Sequence, residues 1–116
     1  MPRERLGRIG PEVSRLCLGT MMFGGRTSER DAAEIIAHAR DAGVNFIDTA
    51  DSYNAGRSEE IVGRAIGRER DRWVLATKAG NPMGDEPGRS GLGRRWLQTA
   101  CDESLQRLGT DRIDLF

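Results

Sequence analysis

The chain has 116 residues, of which 37% are apolar and 31% charged, and its 18 basic side chains balance its 18 acidic ones. This length allows one small domain or part of a larger one, with enough apolar residues for a globular core. The balanced charge argues against a nucleic-acid or anionic-membrane surface, and no apolar run approaches a signal-peptide core or the ~20 residues of a membrane span, so we expect a cytoplasmic protein with a small-molecule partner.

The first predicted element is a β-hairpin over residues 5–16, which turns at Gly7 and at Gly10-Pro11. Glycine and proline favour turns there because their backbone angles are respectively permissive and fixed. The apolar residues 16–18 then predict a short buried strand that ends at Gly19-Thr20.

A helix and a second strand follow. Ser28 and the residues after it form a capping-box-like start, and Gly43 supplies a C-terminal cap. Residues 46–48 predict a strand directly afterwards. The apolar face of the helix is predicted from Ala32, Ile35, Ile36 and Ala39.

The same order is repeated in the next segment. Ser58 is predicted as the N-cap of a second helix, acidic residues occupy its first turn, and Gly67 ends it. Residues 73–77 then predict a third buried strand. The helix face is predicted from Ile61, Val62, Ala65 and Ile66.

A loop rich in glycine and proline runs from residue 79 to about residue 93. A third amphipathic helix, closed by Gly109, is predicted from Leu97, Cys101, Leu105 and Leu108. Residues 113–116 begin a fourth strand. Strands and helices that alternate in this way predict a parallel α/β sheet with right-handed crossovers.

The sequence offers little for metal or phosphate binding. Cys17 and Cys101 lack a paired spacing and His38 is the only histidine, so we expect buried free thiols, no metal site and a solvated helix residue at position 38. Residues 19–26 are glycine-rich, but they contain neither a P-loop nor the Gly-x-Gly-x-x-Gly fingerprint of dinucleotide-binding folds.

Two charged residues lie at the ends of successive predicted strands. Asp48 ends the second strand, and Lys78, the only lysine beside seventeen arginines, ends the third. The carboxyl ends of parallel strands carry the active sites of such folds, and side-chain alternation lets these two meet if the strands are neighbours. An ammonium is a compact charge whose proton affinity responds to its surroundings.

Tyr53, the only tyrosine, follows closely after Asp48. A free phenol holds its proton too tightly for easy transfer at neutral pH, but an ammonium ~4 Å away at an effective dielectric of ~20 contributes about 4 kcal/mol of Coulomb energy, which desolvation reduces. Asp48, Tyr53 and Lys78 form a triad, which predicts an acid that protonates a substrate oxygen. Singly, Lys78 could be a surface charge, Asp48 a turn cap and Tyr53 a packing residue.

Four segments of the chain are similar to one known family: Leu18–Met21, Phe46–Glu59, Leu75–Lys78 and Ser104–Leu115. Through them the sequence resembles the aldo-keto reductase family over almost its whole length. The resemblance implies an α/β fold, a partial (β/α)8 TIM barrel with an N-terminal hairpin and about the first four strands and three helices. Residues 1–116 are then expected to form a single incomplete domain.

The resemblance also implies catalytic roles. Tyr53 matches the general acid of the family, Lys78 the residue that eases release of its proton, and Asp48 the carboxylate that supports Lys78. The positions that approach the nicotinamide ribose match Gly19, Thr20, Met21 and Asp48. The family transfers a hydride from a reduced nicotinamide, usually NADPH, to an aldehyde or ketone, so we expect NADPH as the cofactor, with NADH as the alternative.

The family's catalytic histidine lies a few residues beyond the segment that matches Phe116, so this chain alone is expected to be a poor catalyst or none. An alternative is a non-catalytic NADPH-binding regulatory protein on the same scaffold, as in the cytosolic subunits of some potassium channels. A further alternative is self-association, in which two copies pair through their open strand edges into a closed barrel.

Overall fold

The computed structural model describes all 116 residues. The strands are β1 (Arg3–Arg5), β2 (Glu12–Ser14), β3 (Cys17–Gly19), β4 (Phe46–Asp48) and β5 (Val74–Ala76). The α-helices are α1 (Glu29–Asp41), α2 (Arg57–Ile66) and α3 (Arg94–Leu108). Short 3-10 segments, Tyr53–Gly56 and Gly67–Arg72, precede and follow α2. None of the three α-helices combines the length and the apolar character required to cross a membrane.

The predicted antiparallel hairpin is present, but its strands span residues 3–14 and not 5–16, with Arg3 of β1 opposite Ser14 of β2. Buried Ser14 attaches this hairpin to the rest of the chain. Its backbone N–H donates to Asn45 Oδ1 over 2.7 Å, and the backbone N–H of Asn45 donates to Ser14 Oγ over 3.2 Å. The hairpin is therefore fixed to the residues that lead into β4.

The parallel sheet is also confirmed, with the strand order β3-β4-β5. Phe46 of β4 lies opposite Cys17 of β3, and Asp48 lies opposite Ala76 of β5. The carboxyl ends of the three strands therefore meet at one edge of the sheet. Asp48 and the residues directly after Ala76 are neighbours there.

The predicted fourth strand over residues 113–116 is present only as a single bridge between Ala76 and Leu115. The Asp114 carboxylate explains why the ladder does not extend. Its Oδ2 accepts the backbone N–H of Leu75 over 2.8 Å, so a side chain takes the donor that a backbone carbonyl would use in a continuous strand.

The core lies between the sheet and the helices that cover it. Ser28 caps α1 as predicted, because its Oγ accepts the backbone N–H of Asp31 over 3.1 Å. The buried faces of α1 and α2 are narrower than predicted, because Ile35 of α1 is 41% exposed and Ala65 of α2 also lies in solvent. The main apolar cluster consists of Phe23, Ala32, Ile36, Val44, Ile47, Ile61, Val62, Ile66, Trp73, Leu75 and Leu108.

The buried face of α3 differs from the predicted one by one position. The buried residues are Trp96, Ala100, Ser104 and Leu108, whereas the predicted Leu97, Cys101 and Leu105 are only half-buried. Leu108 belongs to both faces, and α3 packs closely on α2 there, since a Cβ atom at Gly63 would lie 2.2 Å from the carbonyl oxygen of Leu108. The bond from Arg107 to the buried Glu59 of α2 turns the side of α3 that carries Ser104 toward α2.

The cysteine prediction was wrong in its burial. Cys17 is exposed and Cys101 is half-buried, although both thiols are free. Cys17 belongs to β3, one of the two edge strands of the sheet, so one side of this strand has no neighbour. For the same reason the strand predicted as buried is largely exposed. His38 lies on the exposed surface of α1 as predicted.

Replacing Gly63 with Ala is expected to lower the free energy of unfolding by at least about 1–3 kcal/mol. The new methyl group would meet the backbone of Leu108, which cannot rotate away as a side chain can. Gly67→Ala is the matched control, because no atom lies within 4 Å of the new Cβ, and it should stabilise by about 0.4–1 kcal/mol. Urea unfolding measures both. Equal stabilities for the two variants would contradict this packing.

Candidate active site

The structure brings Asp48, Tyr53 and Lys78 together at the carboxyl ends of β4 and β5. The Lys78 ammonium donates to Asp48 Oδ2 over 2.7 Å, to the Tyr53 hydroxyl over 3.3 Å and to the carbonyl oxygen of Thr49 over 3.0 Å. An ammonium has three N–H donors, and all three are occupied. The position of the charge is therefore defined from three directions.

The electrostatics of this cluster keep Lys78 charged. Its partial burial lowers the pKa of the ammonium, but the hydrogen bonds to Asp48 and Tyr53 outweigh that effect, so the pKa of Lys78 lies above its ordinary value. The nitrogen also lies 5.0 Å from the centre of the Tyr53 ring. A positive charge is thus held against both the hydroxyl and the ring of the phenol.

An unusual turn presents Tyr53 to Lys78. Asn54 and Ala55 both have left-handed backbone angles, with φ of 51° and 55°, which are rare outside glycine. Asn54 tolerates this conformation and also anchors the turn, because its side-chain amide donates to the carbonyl oxygens of Met21 and Phe23 over 2.9 and 2.8 Å. The turn is therefore tied to the segment that follows β3.

The strand ends are connected by buried hydroxyl groups. Ser58 was predicted as an N-cap, but Gly56 occupies that position and Ser58 lies in the first turn of α2. Its side chain turns inward instead and donates to the carbonyl oxygen of Thr20 over 2.8 Å, while its Oγ lies 3.1 Å from Thr49 Oγ1. Thr20 Oγ1 in turn donates to the carbonyl oxygen of Asp48 over 3.0 Å. Helix α2 thus joins the ends of β3 and β4.

The four residues predicted to bind the cofactor differ in accessibility. Gly19 is exposed and no atom lies within 4 Å of the place where a Cβ would stand. Met21 is 56% exposed, whereas Thr20 is buried and its hydroxyl is already bonded. Asp48 Oδ2 faces Lys78, and its side chain is 31% exposed. Three of the four can therefore reach a bound molecule with their side chains or backbone.

Sequence reasoning missed the role of Glu59, which it treated only as an acidic residue in the first turn of a helix. Glu59 is fully buried. Its Oε1 accepts Arg107 Nε over 2.8 Å and its Oε2 accepts the Thr77 hydroxyl over 2.9 Å. A signal was present, because Glu59 stands three and seven residues before the core residues Val62 and Ile66, on the apolar face of α2.

Asp51 is a second buried acid that sequence reasoning did not single out. It is 1% exposed, and its Oδ2 has no hydrogen-bond partner. Burial, and then the negative charge of Glu59, raise the pKa of the Asp51 carboxyl. The backbone N–H of Asp51 donates to the carbonyl oxygen of Lys78 over 3.1 Å, so this acid lies directly behind the triad.

Asp51→Asn is expected to stabilise the fold at neutral pH. A raised carboxyl pKa means that the folded state binds the proton more tightly, so stability is lost as pH rises from the ordinary aspartate pKa through the folded one. Because the asparagine side chain cannot ionise, this loss of stability with rising pH should disappear in the variant. Urea unfolding from about pH 4 to about pH 8 measures it. Asp85→Asn, in the exposed loop, is the control and should leave the pH profile unchanged.

The loop over residues 79–93 contains no helix or strand, as predicted. With the start of α3 it lines an open surface pocket of about 610 Å³, whose lining includes Arg89, Arg94, Arg95 and Trp96. Asp48, Tyr53 and Lys78 do not line this pocket. No three His, Cys, Asp or Glu side chains cluster in a way that could hold a metal ion.

Comparison with known proteins finds similar proteins in one family. The model of the "Aldo/keto reductase family" matches residues 15–116. An "Uncharacterized oxidoreductase" of Bacillus subtilis (strain 168) is 43% identical over 122 residues, which cover 96% of this chain and 37% of that protein. A "Probable voltage-gated potassium channel subunit beta" of Oryza sativa subsp. japonica is 38% identical over 119 residues, or 99% of this chain and 36% of that protein.

A solved structure agrees with the sequence matches. It is an aldo-keto reductase from Bacillus halodurans in its holo form, which matches with a TM-score of 0.84 and 38% identity over 99% of this chain and 40% of that chain. The chain therefore spans well under half the length of the relatives it matches. The predicted partial (β/α)8 barrel is confirmed by this match.

Proposed function

The chain belongs to the aldo/keto reductase family, and we propose that the protein reduces an aldehyde or ketone with a hydride from NADPH while Tyr53 supplies the proton. One observation carries the proposal. The Lys78 ammonium is bonded to the Asp48 carboxylate over 2.7 Å and to the Tyr53 hydroxyl over 3.3 Å. A phenol held against a fixed positive charge is suited to release a proton to a substrate oxygen.

Each member of the triad has a separate task in this proposal. Tyr53 donates its hydroxyl proton to the carbonyl oxygen as negative charge builds there. Lys78 stabilises the phenolate that remains, because its ammonium donates to the same oxygen and carries the opposite charge. Asp48 holds Lys78 in place, and the raised pKa of Lys78 keeps the ammonium protonated through neutral pH. Asp48 therefore acts through Lys78.

The proposed cofactor fits the residues at the strand ends. Gly19 offers open space for the close approach of a ring or sugar, and exposed Met21 borders it. The partly exposed Asp48 carboxylate can accept from a ribose hydroxyl. Thr20 contributes by holding the strand end, since its hydroxyl is bonded to the backbone of Asp48. A bound nicotinamide supplies the hydride chemistry itself.

The proposal extends to partner and compartment. The substrate in this proposal is a small carbonyl compound, as family membership suggests, and a net charge of +0 gives no general attraction to nucleic acid. Both cysteines are free, which suits the reducing cytoplasm. The chain itself forms an incomplete barrel domain in this proposal.

A second candidate is a regulatory protein that binds NADPH without turnover. It is favoured by one observation, the 38% identity to the channel subunit of Oryza sativa. A shared scaffold is compatible with both functions, because function depends on the site and not on the fold. The intact acid triad favours the enzyme.

Oxidation of NADPH in the presence of a panel of aldehydes and ketones tests the proposal on the full gene product. Steady-state turnover that depends on the carbonyl compound is expected. Binding of NADPH, measured by the fluorescence of its nicotinamide, is recorded in parallel. Tight binding without turnover of any carbonyl compound would overturn the proposed enzyme and favour the regulatory protein.

A further inference from the structure

Glu59 links three elements around the candidate active site. It lies in the first turn of α2 and its side chain is fully buried. One carboxylate oxygen accepts from Arg107 of α3 over 2.8 Å, and the other accepts from Thr77, directly after β5, over 2.9 Å. A buried carboxylate is costly without such partners, and here both oxygens have one.

The bond to Thr77 acts on the residue next to Lys78. Adjacent side chains at a strand end point to opposite sides of the sheet. Thr77 therefore faces the helices, and Lys78 faces Asp48 and Tyr53. Holding Thr77 therefore fixes the backbone from which Lys78 extends. Glu59 also follows the Tyr53–Gly56 turn within three residues, so one helical turn is connected to both Tyr53 and Lys78.

The packing around Gly56 gives independent support. A Cβ atom at Gly56 would lie 2.8 Å from Arg107 Cδ, so Arg107 reaches Glu59 across the bare backbone of this glycine. Gly56 is also the N-cap of α2, with φ of 94°. The arginine that anchors Glu59 thus packs directly on the end of the turn that carries Tyr53.

We propose that Glu59, anchored by Arg107 and bonded to Thr77, is a positioning residue that sets the distance between Lys78 and Tyr53. The inference rests on the proposed function, in which that distance governs proton transfer. The 3.3 Å separation of Lys78 Nζ and the Tyr53 hydroxyl is already long for a hydrogen bond. A displacement of the strand end by about 1 Å would break it, and misplacement on this scale is costly in catalysis.

Thr77→Val in the full gene product tests the link, because valine keeps the shape of threonine and removes only the hydroxyl that bonds to Glu59. We expect kcat for carbonyl reduction to fall about tenfold, with KM for NADPH unchanged. Thr77→Ser keeps the hydroxyl and should restore most of kcat. Thr99→Val makes the same change on the exposed face of α3 and should leave kcat as it is.

A readout that does not depend on turnover is the Lys78 ammonium itself. The protein is labelled with ¹⁵N at lysine Nζ, and the Lys78 signal is assigned by its loss in Lys78→Arg. In Thr77→Val the hydrogen bonds to Asp48 and Tyr53 should weaken, so the pKa of Lys78 should move down toward that of a free lysine. In Thr77→Ser it should stay raised.

The outcomes separate the two hypotheses. The positioning role is overturned if Thr77→Val keeps both the wild-type kcat and the wild-type Lys78 titration, or if Thr77→Ser is as impaired as Thr77→Val. The proposed function fails instead if Tyr53→Phe turns over as fast as the wild type. In that case the Lys78 titration still decides whether Glu59 positions the ammonium.

Discussion

In the full gene product, the proposed function predicts that replacement of Tyr53 by phenylalanine lowers kcat for carbonyl reduction between about a hundredfold and ten-thousandfold, the usual contribution of a positioned acid. The ring remains and only the hydroxyl is lost, so packing is preserved. The Lys78 ammonium keeps its bonds to Asp48 and to the carbonyl oxygen of Thr49. The loss of rate therefore measures proton donation by the phenol and not a collapse of the site.

The measurement is steady-state turnover of one aldehyde by the wild type and by Tyr53→Phe, with NADPH binding and thermal unfolding as controls. Affinity for NADPH and the unfolding temperature should change little, because the half-buried ring stays in place. The phenylalanine that replaces Tyr53 has no hydroxyl group and offers no substitute proton. Turnover within about threefold of the wild type would mean that another group supplies the proton.

The positions of the triad could be predicted from the sequence because they depend on local rules. Asp48 and Lys78 each come at the end of a short apolar run, and the carboxyl ends of two such parallel strands coincide when the strands are neighbours, as β4 and β5 are. The start of α1 was predictable for a similar reason, since the Ser28 cap is a property of four consecutive residues. Rules of this kind need no knowledge of distant contacts.

The errors arose where distant contacts decide. Ser58 has the composition of an N-cap, but its hydroxyl is bonded to Thr20, 38 positions away. The buried side of α3 is set by the contact of Arg107 with the buried Glu59 of α2, which helical periodicity alone does not reveal. Asp114 interrupts the fourth strand by accepting from Leu75, a residue 39 positions earlier. Each case depends on a tertiary partner.

The burial of acidic side chains was also not predictable from the sequence. An acidic residue in the first turn of a helix is usually a solvated partner of the helix dipole, and this describes Glu60 better than Glu59. Glu59 is buried only because Arg107 and Thr77 approach it from other elements. The proximity of Asp48, Tyr53 and Lys78 was therefore predictable from the sequence, but the contacts of Glu59 that support them were not.

Replacement of Lys78 by methionine is the second large expected effect, with kcat lowered between about a hundredfold and a thousandfold, as for the loss of one charged donor at a developing charge. Methionine has a similar length without the charge, so Tyr53 loses its hydrogen-bond donor and Asp48 its counter-ion. Lys78→Arg should also be impaired, because a planar guanidinium cannot donate to all three partners of a compact ammonium.

The same substitution has an effect on stability with a defined pH dependence. The pKa of Lys78 is raised in the folded state, so its contribution is fully present below the pKa of an unfolded lysine and is lost as pH rises through the folded value. Urea unfolding in the alkaline range should show this loss in the wild type and not in Lys78→Met. The contribution is small, since the side chain is 51% exposed and screened by solvent.

A double-mutant cycle with Asp48→Asn tests whether the carboxylate acts through the ammonium. Asp48→Asn alone should lower kcat, because Lys78 loses its 2.7 Å partner and its orientation toward Tyr53. In the Lys78→Met background the same change should cost little more, since no ammonium remains to be held. Full additivity of the two losses would show that Asp48 contributes by a separate route, such as a bond to the cofactor ribose.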